Sequence, residues 1–380
     1  MRAILCTTVD RGRVVQATRY LTWCSRPRDR ASPIFVIGNE GKSMPRTLPF
    51  GNRIREVFPN VTALLAAASL LLCATLASAQ EAAPTPHPRA AASSDDAFSV
   101  NEVAPGVFVH QGRYELFTPR NSGDTSNAGF IIGKDAVAVV DTGGSAHVGA
   151  QLLAAIRART KLPIRYVINT HMHPDHLFGN VAFKGESPIF IGHAKLPRAL
   201  ASRGDRYLAI NKELLGDAFA GTEIVPPTEF VEDRRELDLG DRKLLLEAHP
   251  TAHTDNDLTV LDEKTGTMFL GDLLFSRHIP ALDGSIRGWL ALIDRLSART
   301  DVKLAVPGHG PASMPWPAAI DAEKRYLSTV AADVRTMIKE GKTLAEAAEK
   351  AGLSEKDAWL LFKEYHARNV SAAFAELEWE

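Results

Sequence analysis

Apolar and polar positions change their period along the chain, and each change marks an element. From Val100 onward, short apolar runs of strand type alternate with stretches of helical spacing, and no internal repeat is present. Residues 107–111 (VFVHQ) read as a strand, and 128–143 (AGFIIGKDAVAVVDTG) as two strands around a Gly133-Lys134-Asp135 turn. Residues 146–160 carry Leu152, Leu153 and Ile156 at helical spacing. A strand at 164–169, a strand at 187–192 and a helix over 193–202 follow, and 204–227 reads as a loop. Further on, ELDLG and KLLLEAH flank a turn at Asp241, and LTVLD with TMFLG form a hairpin about residues 263–266. Trp289, Leu292, Ile293 and Leu296 fall at i, i+3, i+4 and i+7 of an amphipathic helix. KLAVPGHG (303–310) reads as strand then loop. Residues 316–380 are almost wholly helical and read as scaffold, with Tyr326, Val330, Val334 and Ile338 along one face. Strands alternating with helices and interspersed with hairpins predict a layered α/β fold.

One apolar run breaks this pattern. VTALLAAASLLLCATL (61–76) is preceded by Arg53 and Arg55 and followed by Ala77-Ser78-Ala79. A basic region, an apolar core and an A-x-A ending describe a secretory signal peptide cleaved after Ala79, which implies a periplasmic or secreted protein with no stable membrane anchor after cleavage. Met44 gives a leader of ordinary length, so 1–43 is expected to be a disposable extension or a mis-assigned start, and 44–79 the signal. Residues 80–97, rich in Pro, Ala and Ser, read as a flexible linker, and 98–380 as the functional domain.

Charge follows the same division. The whole chain is nearly neutral at −1, but residues 1–79 hold 11 Lys+Arg against 4 Asp+Glu, a balance of +7, leaving −8 for the rest. An acidic domain without a basic patch repels phosphate backbones and argues against nucleic acid as a partner. Cys6, Cys24 and Cys73 all precede the cleavage position, so the mature chain is expected to have neither a disulfide nor a thiolate metal ligand.

The chemistry concentrates after the 164–169 strand. THMHPDHLFGN (170–180) places His171, His173, Asp175 and His176 within six residues, the H-x-H-x-D-H pattern, and imidazole with carboxylate suits zinc, iron or manganese. His253 in AHTDND, Asp272 in GDLLF and His309 in PGHGP each stand just past a strand's carboxyl end, where open α/β sheets place their sites. His249, four residues before His253, competes with it as a ligand. His278, Asp283 and Trp289 read as packing or capping residues near a substrate mouth, and no G-x-S-x-G nucleophile motif is present.

Together, H-x-H-x-D-H, the later His, Gly-Asp and Gly-His, with the early VVDTG (139–143), resemble the metallo-β-lactamase superfamily of binuclear metallohydrolases across residues 100–312. The resemblance implies an αβ/βα sandwich with extra carboxy-terminal helices. It also implies two zinc ions, one held by His171, His173 and His253 and the other by Asp175, His176 and His309, with Asp272 bridging. Asp141 either supports the site or simply ends a strand. The nucleophile implied is a hydroxide bridging the two ions, since zinc lowers the pKa of bound water to about 7, and Asp175 both holds a metal and accepts the hydroxide's hydrogen bond. By simple counting the centre is left at about +1, which favours an anionic or carbonyl-rich small molecule.

The absence of Cys at a metal position and the presence of Asp272 look more like glyoxalase II than true lactamases, and β-lactam hydrolysis is disfavoured. Residues 271–296 resemble the quinoprotein relay system zinc metallohydrolases. The reading is a zinc-dependent hydrolase of thioester or ester-type substrates. Its rivals are an oxidoreductase like the persulfide dioxygenases, with one iron, and a non-catalytic maturation factor for an exported quinoprotein dehydrogenase.

Overall fold

A computed structural model describes residues 4–10, 13–19 and 98–380, and the chain divides into the units Met1–Pro86 and His87–Glu380. The apolar run 61–76, the cleavage position after Ala79, Met44 and the linker 80–97 lie outside the described residues. In the first unit β1 (Ile4–Asp10) pairs antiparallel with β2 (Arg13–Arg19).

The second unit contains two sheets. The larger runs in chain order through β3 (Asn101–Ala104), β4 (Val107–His110), β5 (Ala128–Ile132), β6 (Val137–Val140), β7 (Ile164–Ile168), β8 (Ile189–His193) and β9 (Glu229–Val231). It is antiparallel as far as β6 and parallel from there to β9. The smaller comprises β10 (Arg234–Asp238), β11 (Lys243–Ala248), β12 (Leu258–Asp262), β13 (Thr267–Phe275), β14 (Leu304–His309) and β15 (Met314–Pro315), with only β13 and β14 parallel.

Strand side chains alternate between faces, and β6 shows how this builds the layers. Ala138 and Val140 join Val109, Ile131 and Ile168 against Leu246, Val260 and Phe269 of the smaller sheet, forming the central core. Val137 and Val139 point the other way, onto Leu152 and Ile156 of α1 (Ala146–Arg157), which Ser145 caps. Beyond α2 (Pro174–Leu177) and α3 (Leu196–Leu215), the remaining helices are α4 (Ile286–Ser297), α5 (Asp321–Lys339), α6 (Leu344–Lys350) and α7 (Phe362–Leu377). Trp289, Ile293, Tyr326, Val330 and Val370 of this group cover the outer face of the smaller sheet. The result is the expected αβ/βα sandwich with carboxy-terminal helices.

Two local expectations fail. Residues 204–215, read as loop, continue α3, because Leu196, Leu200, Gly204, Asn211 and Leu215 keep a buried helical stripe among charged residues that obscured it. Asp272 does not follow its strand: β13 runs on to Phe275, with a register irregularity at Gly271. Gly271 has φ +53, and a Cβ there would sit 2.5 Å from Thr170 Oγ1, so glycine lets the strand bend against the loop after β7. No helix among the described residues is long and apolar enough to cross a membrane.

Candidate metal centre

Parallel strands β7 and β8 and the β13–β14 pair deliver their carboxyl ends to one edge of the sandwich. His171 and His173 lie in the loop leaving β7, and Pro174 opens α2, which carries Asp175 and His176. His253 follows β11, Asp272 lies within β13, and His309 ends β14. All seven meet as two adjacent donor groups.

In the first group His173 Nδ1 lies 3.1 Å from His171 Nε2 and 2.9 Å from His253 Nε2. In the second, Asp175 Oδ2 lies 3.2 Å from His309 Nε2 and 3.8 Å from His176 Nε2. Asp272 stands between them. Its Oδ2 is 3.3 Å from His253 Nε2 and 3.6 Å from His171 Nε2, whereas its Oδ1 is 3.1 Å from His176 Nε2 and 3.4 Å from His309 Nε2. Gly308 makes this approach feasible, since a Cβ there would fall 2.1 Å from Asp272 Oδ1.

The far nitrogen of each imidazole is engaged. His176 Nδ1 donates to Asp141 Oδ2 (2.7 Å), His173 Nε2 to Asp283 Oδ2 (3.1 Å), His253 Nδ1 to Ala281 O (2.6 Å) and His309 Nδ1 to Thr125 O (2.9 Å). The Thr170 hydroxyl donates to Asp141 (2.8 Å) and so accepts from His171 Nδ1 (3.0 Å). These partners are acceptors, so they hold a proton on the outer nitrogen of each ring and turn the other nitrogen inward, where it offers a lone pair once that ring is neutral. Asp141 therefore both ends β6 and supports two of the candidate donors, His176 directly and His171 through Thr170. Asp283, read from its place in the chain as a packing or capping residue near a substrate mouth, orients His173.

Charge is divided across the cluster. Burial opposes ionisation of Asp272 and Asp175, yet the surrounding histidines, His176 foremost, hold both carboxyls well below their ordinary range. Burial works against a charged His309, but Asp272 and Asp175 raise it to about 9, and the same carboxylates with Asp141 push His176 well up. Burial pushes His253 down to about 3 and His171 down as well.

Donor chemistry and two orphaned atoms indicate that cations fit here. His176 Nε2 and Asp272 Oδ1 are buried and lack any hydrogen-bond partner, although they face one another at 3.1 Å. Buried polar atoms are rarely left unmatched, and a divalent ion between such donors satisfies both. The residues present thus suit two ions that share Asp272.

The other candidates lie elsewhere. His249 bonds to Thr259 Oγ1 (2.9 Å) and belongs to neither donor group. Trp289 is buried with its ring 5.4 Å from that of His253, and the His278 ring lies 4.8 Å from that of His309. A cleft of about 450 Å³ is lined among others by Met172, Arg198, Arg203, Asp255 and Asp283, the last of which bonds to His173. Arg203 and Arg368 both pair with Asp283. Neither was legible as a site residue: Arg203 lay just outside the expected helix, and Arg368 lies far along the chain with no motif around it.

The sequence model of the metallo-beta-lactamase superfamily matches residues 121–309, the segment that holds all seven donors. A metallo-beta-lactamase from Pontibacter korlensis has a similar fold, with TM-score 0.50 and 19% identity over 60% of this chain and 98% of that one. The metallo-beta-lactamase IND-7 aligns at TM-score 0.48 and 17% identity, over 60% of this chain and 97% of that one. A linear primary-alkylsulfatase of Pseudomonas sp. (strain ATCC 19151) is 36% identical over 58 residues, 15% of this chain and 11% of the sulfatase, so the chain spans about a tenth of that relative's length. The chain belongs to the metallo-β-lactamase superfamily, a family of metallohydrolases.

Proposed function

We propose that the chain is a zinc-dependent hydrolase that works outside the cytoplasm on an anionic thioester or ester, with two ions in the site. The observation that carries this reading is the division of Asp272, whose two oxygens face two separate histidine sets. Such ions supply an activated water at neutral pH and polarise the carbonyl it attacks. The protein's own part is then orientation and proton handling. Asp175 Oδ2, ionised and 3.2 Å from His309 Nε2, is placed to accept the hydrogen bond of the attacking water. Asp141, Asp283, Ala281 O and Thr125 O hold the imidazoles in one tautomer, so little rearrangement is needed as charge develops.

Arg198 and Arg203, paired with Asp255 and Asp283 in the cleft, are the guanidinium groups there that a negative group of the substrate, remote from the reacting carbonyl, would engage. The completeness of the second donor group favours two ions over the single iron of a dioxygenase-like reading. The basic region, apolar run and Ala77-Ser78-Ala79 support export, and the resemblance of 271–296 to quinoprotein relay hydrolases supports an exported quinoprotein dehydrogenase as partner. The short match to an alkylsulfatase adds sulfate esters to the compounds worth testing. The test is metal analysis of the purified protein with hydrolysis assays on thioester, lactone, sulfate-ester, β-lactam and persulfide compounds. Thioester or ester turnover dependent on two zinc ions is expected, and turnover of persulfide alone with oxygen uptake overturns the reading.

A further inference from the structure

The carboxy-terminal helices read from sequence as scaffold, but α7 meets the metal centre through a specific intermediate. The segment between β13 and α4 runs along the edge of the site and carries two groups that orient ligands of the first set. Ala281 O accepts from His253 Nδ1 at 2.6 Å, and Asp283 Oδ2 accepts from His173 Nε2 at 3.1 Å. This segment has almost no regular structure of its own, so something else must hold these acceptors in place.

Asn369 on α7 does so. It is buried at 2% exposure, and its Oδ1 accepts from Leu282 N at 2.9 Å while its Nδ2 donates to Pro280 O at 2.6 Å. The amide thus bonds to the residues on both sides of Ala281. Nδ2 also reaches Tyr326 OH on α5 at 3.0 Å, which ties the clamp to the helix beneath. The same helix adds Arg368 to Asp283 Oδ1 (3.2 Å), and Glu376 to Ser285 Oγ (2.7 Å) and Ile286 N (2.8 Å). Just before α7, Leu360 pairs by backbone with Arg277 and Ile279. None of these contacts touches Asp175, His176 or His309.

We propose that Asn369 is a positioning residue for the first metal site: by clamping Pro280 and Leu282 it aims the Ala281 carbonyl at His253, and so sets the affinity of the His171, His173 and His253 group without setting that of the second group. The proposal rests on the reading that this site binds metal. Outer partners of ligating histidines commonly govern metal affinity by about 10- to 100-fold.

The experiment titrates the full chain with Co²⁺ and Zn²⁺ and follows the cobalt-shifted imidazole N–H proton of His253 by NMR. Asn369→Ala is expected to weaken the first ion by about 10- to 100-fold, leave the second within a factor of about two, and speed solvent exchange of the His253 proton. Glu376→Gln, at a partly buried position of α7, is expected to shift the first ion in the same direction by less. If Asn369→Ala fails to fold, Asn369→Asp serves, because it keeps the acceptor for Leu282 N but loses the donor to Pro280 O, and it is expected to weaken the first ion alone. Equal weakening of both ions, or an unchanged His253 proton and unchanged first-ion affinity in a folded Asn369 variant, overturns the clamp. A wild-type chain that binds no ion at the first group overturns the metal reading and the clamp with it.

Discussion

Asp141 Oδ2 lies 2.7 Å from His176 Nδ1, and the same carboxylate takes the backbone N–H and hydroxyl of Thr170 at 2.8 Å each. One buried group at the end of β6 therefore orients His176 of the second donor group and, through Thr170, His171 of the first. Asp141 holds φ +57, an uncommon conformation for a non-glycine residue that turns the carboxylate beneath both histidines. Asp141→Asn substitutes an amide that can accept with only one of its two side-chain groups. It is expected to weaken the ion at His176 by about 10- to 100-fold in a zinc titration. Unchanged affinity for both ions would show that the Asp141 contacts do not tune the site.

Gly308 makes a second prediction possible. An added methyl group would meet Asp272 Oδ1 at 2.1 Å and the Gly271 carbonyl carbon at 2.7 Å. Gly308→Ala should displace the shared carboxylate, lower stability by about 1–3 kcal/mol, and reduce bound metal to less than two ions per chain. Metal analysis of the folded variant checks this, and full occupancy counts against the bridging role of Asp272.

The paired guanidinium groups of the cleft predict how substrate recognition divides. Arg203 borders the cleft and pairs with Asp283. Arg203→Ala should raise KM for an anionic thioester by about 10- to 100-fold, the worth of a charge-assisted hydrogen bond, while kcat changes little. A neutral thioester should show a much smaller change. Equal losses on both compounds would place Arg203 in maintaining His173 through Asp283 rather than in recognising charge.

His249 offers a pH test away from the ligands. Burial, chiefly, with Arg295 and Arg299 nearby, pushes its ring from the ordinary 6.5 down to about 4. The folded chain keeps it neutral where the unfolded chain would protonate it, so its stabilising contribution is present above pH 6.5 and is lost as pH falls toward 4. The difference is of order 3 kcal/mol. His249→Asn should therefore lose less stability than the wild type between pH 7 and pH 4.5 in denaturant titrations. Parallel losses in the two proteins refute the assignment.

The legible and illegible parts of this molecule differ in a physical way. The continuous apolar run VAVV (137–140), buried on both faces, and helical spacing at Trp289, Leu292, Ile293 and Leu296 encode the layers locally, so the sandwich could be read from short windows. The seven candidate donors could be singled out together, because six sit at or beyond strand ends that the sheet topology brings to one edge, and metal-capable residue types are conspicuous there. Asp272 was singled out as a candidate for its type and its Gly-Asp context, although its strand continues past it. Asp283, Arg368 and Asn369 were not assigned roles at the site, because their significance lies in contacts between segments 85 to 110 residues apart, which no local period records. The extent of α3 was missed for a related reason, since its polar, charge-rich outer face masked a buried stripe only a few residues wide.

The central claim is that two ions share Asp272 in a hydrolytic site, and metal content measured together with turnover tests it most directly. The purified wild-type protein is predicted to contain two zinc ions per chain and to hydrolyse an anionic thioester without consuming oxygen, and Asp272→Ala is predicted to lose both the paired ions and the activity. A wild-type protein holding one oxidisable iron and consuming oxygen, or an Asp272→Ala protein that keeps two ions and full activity, would contradict the account.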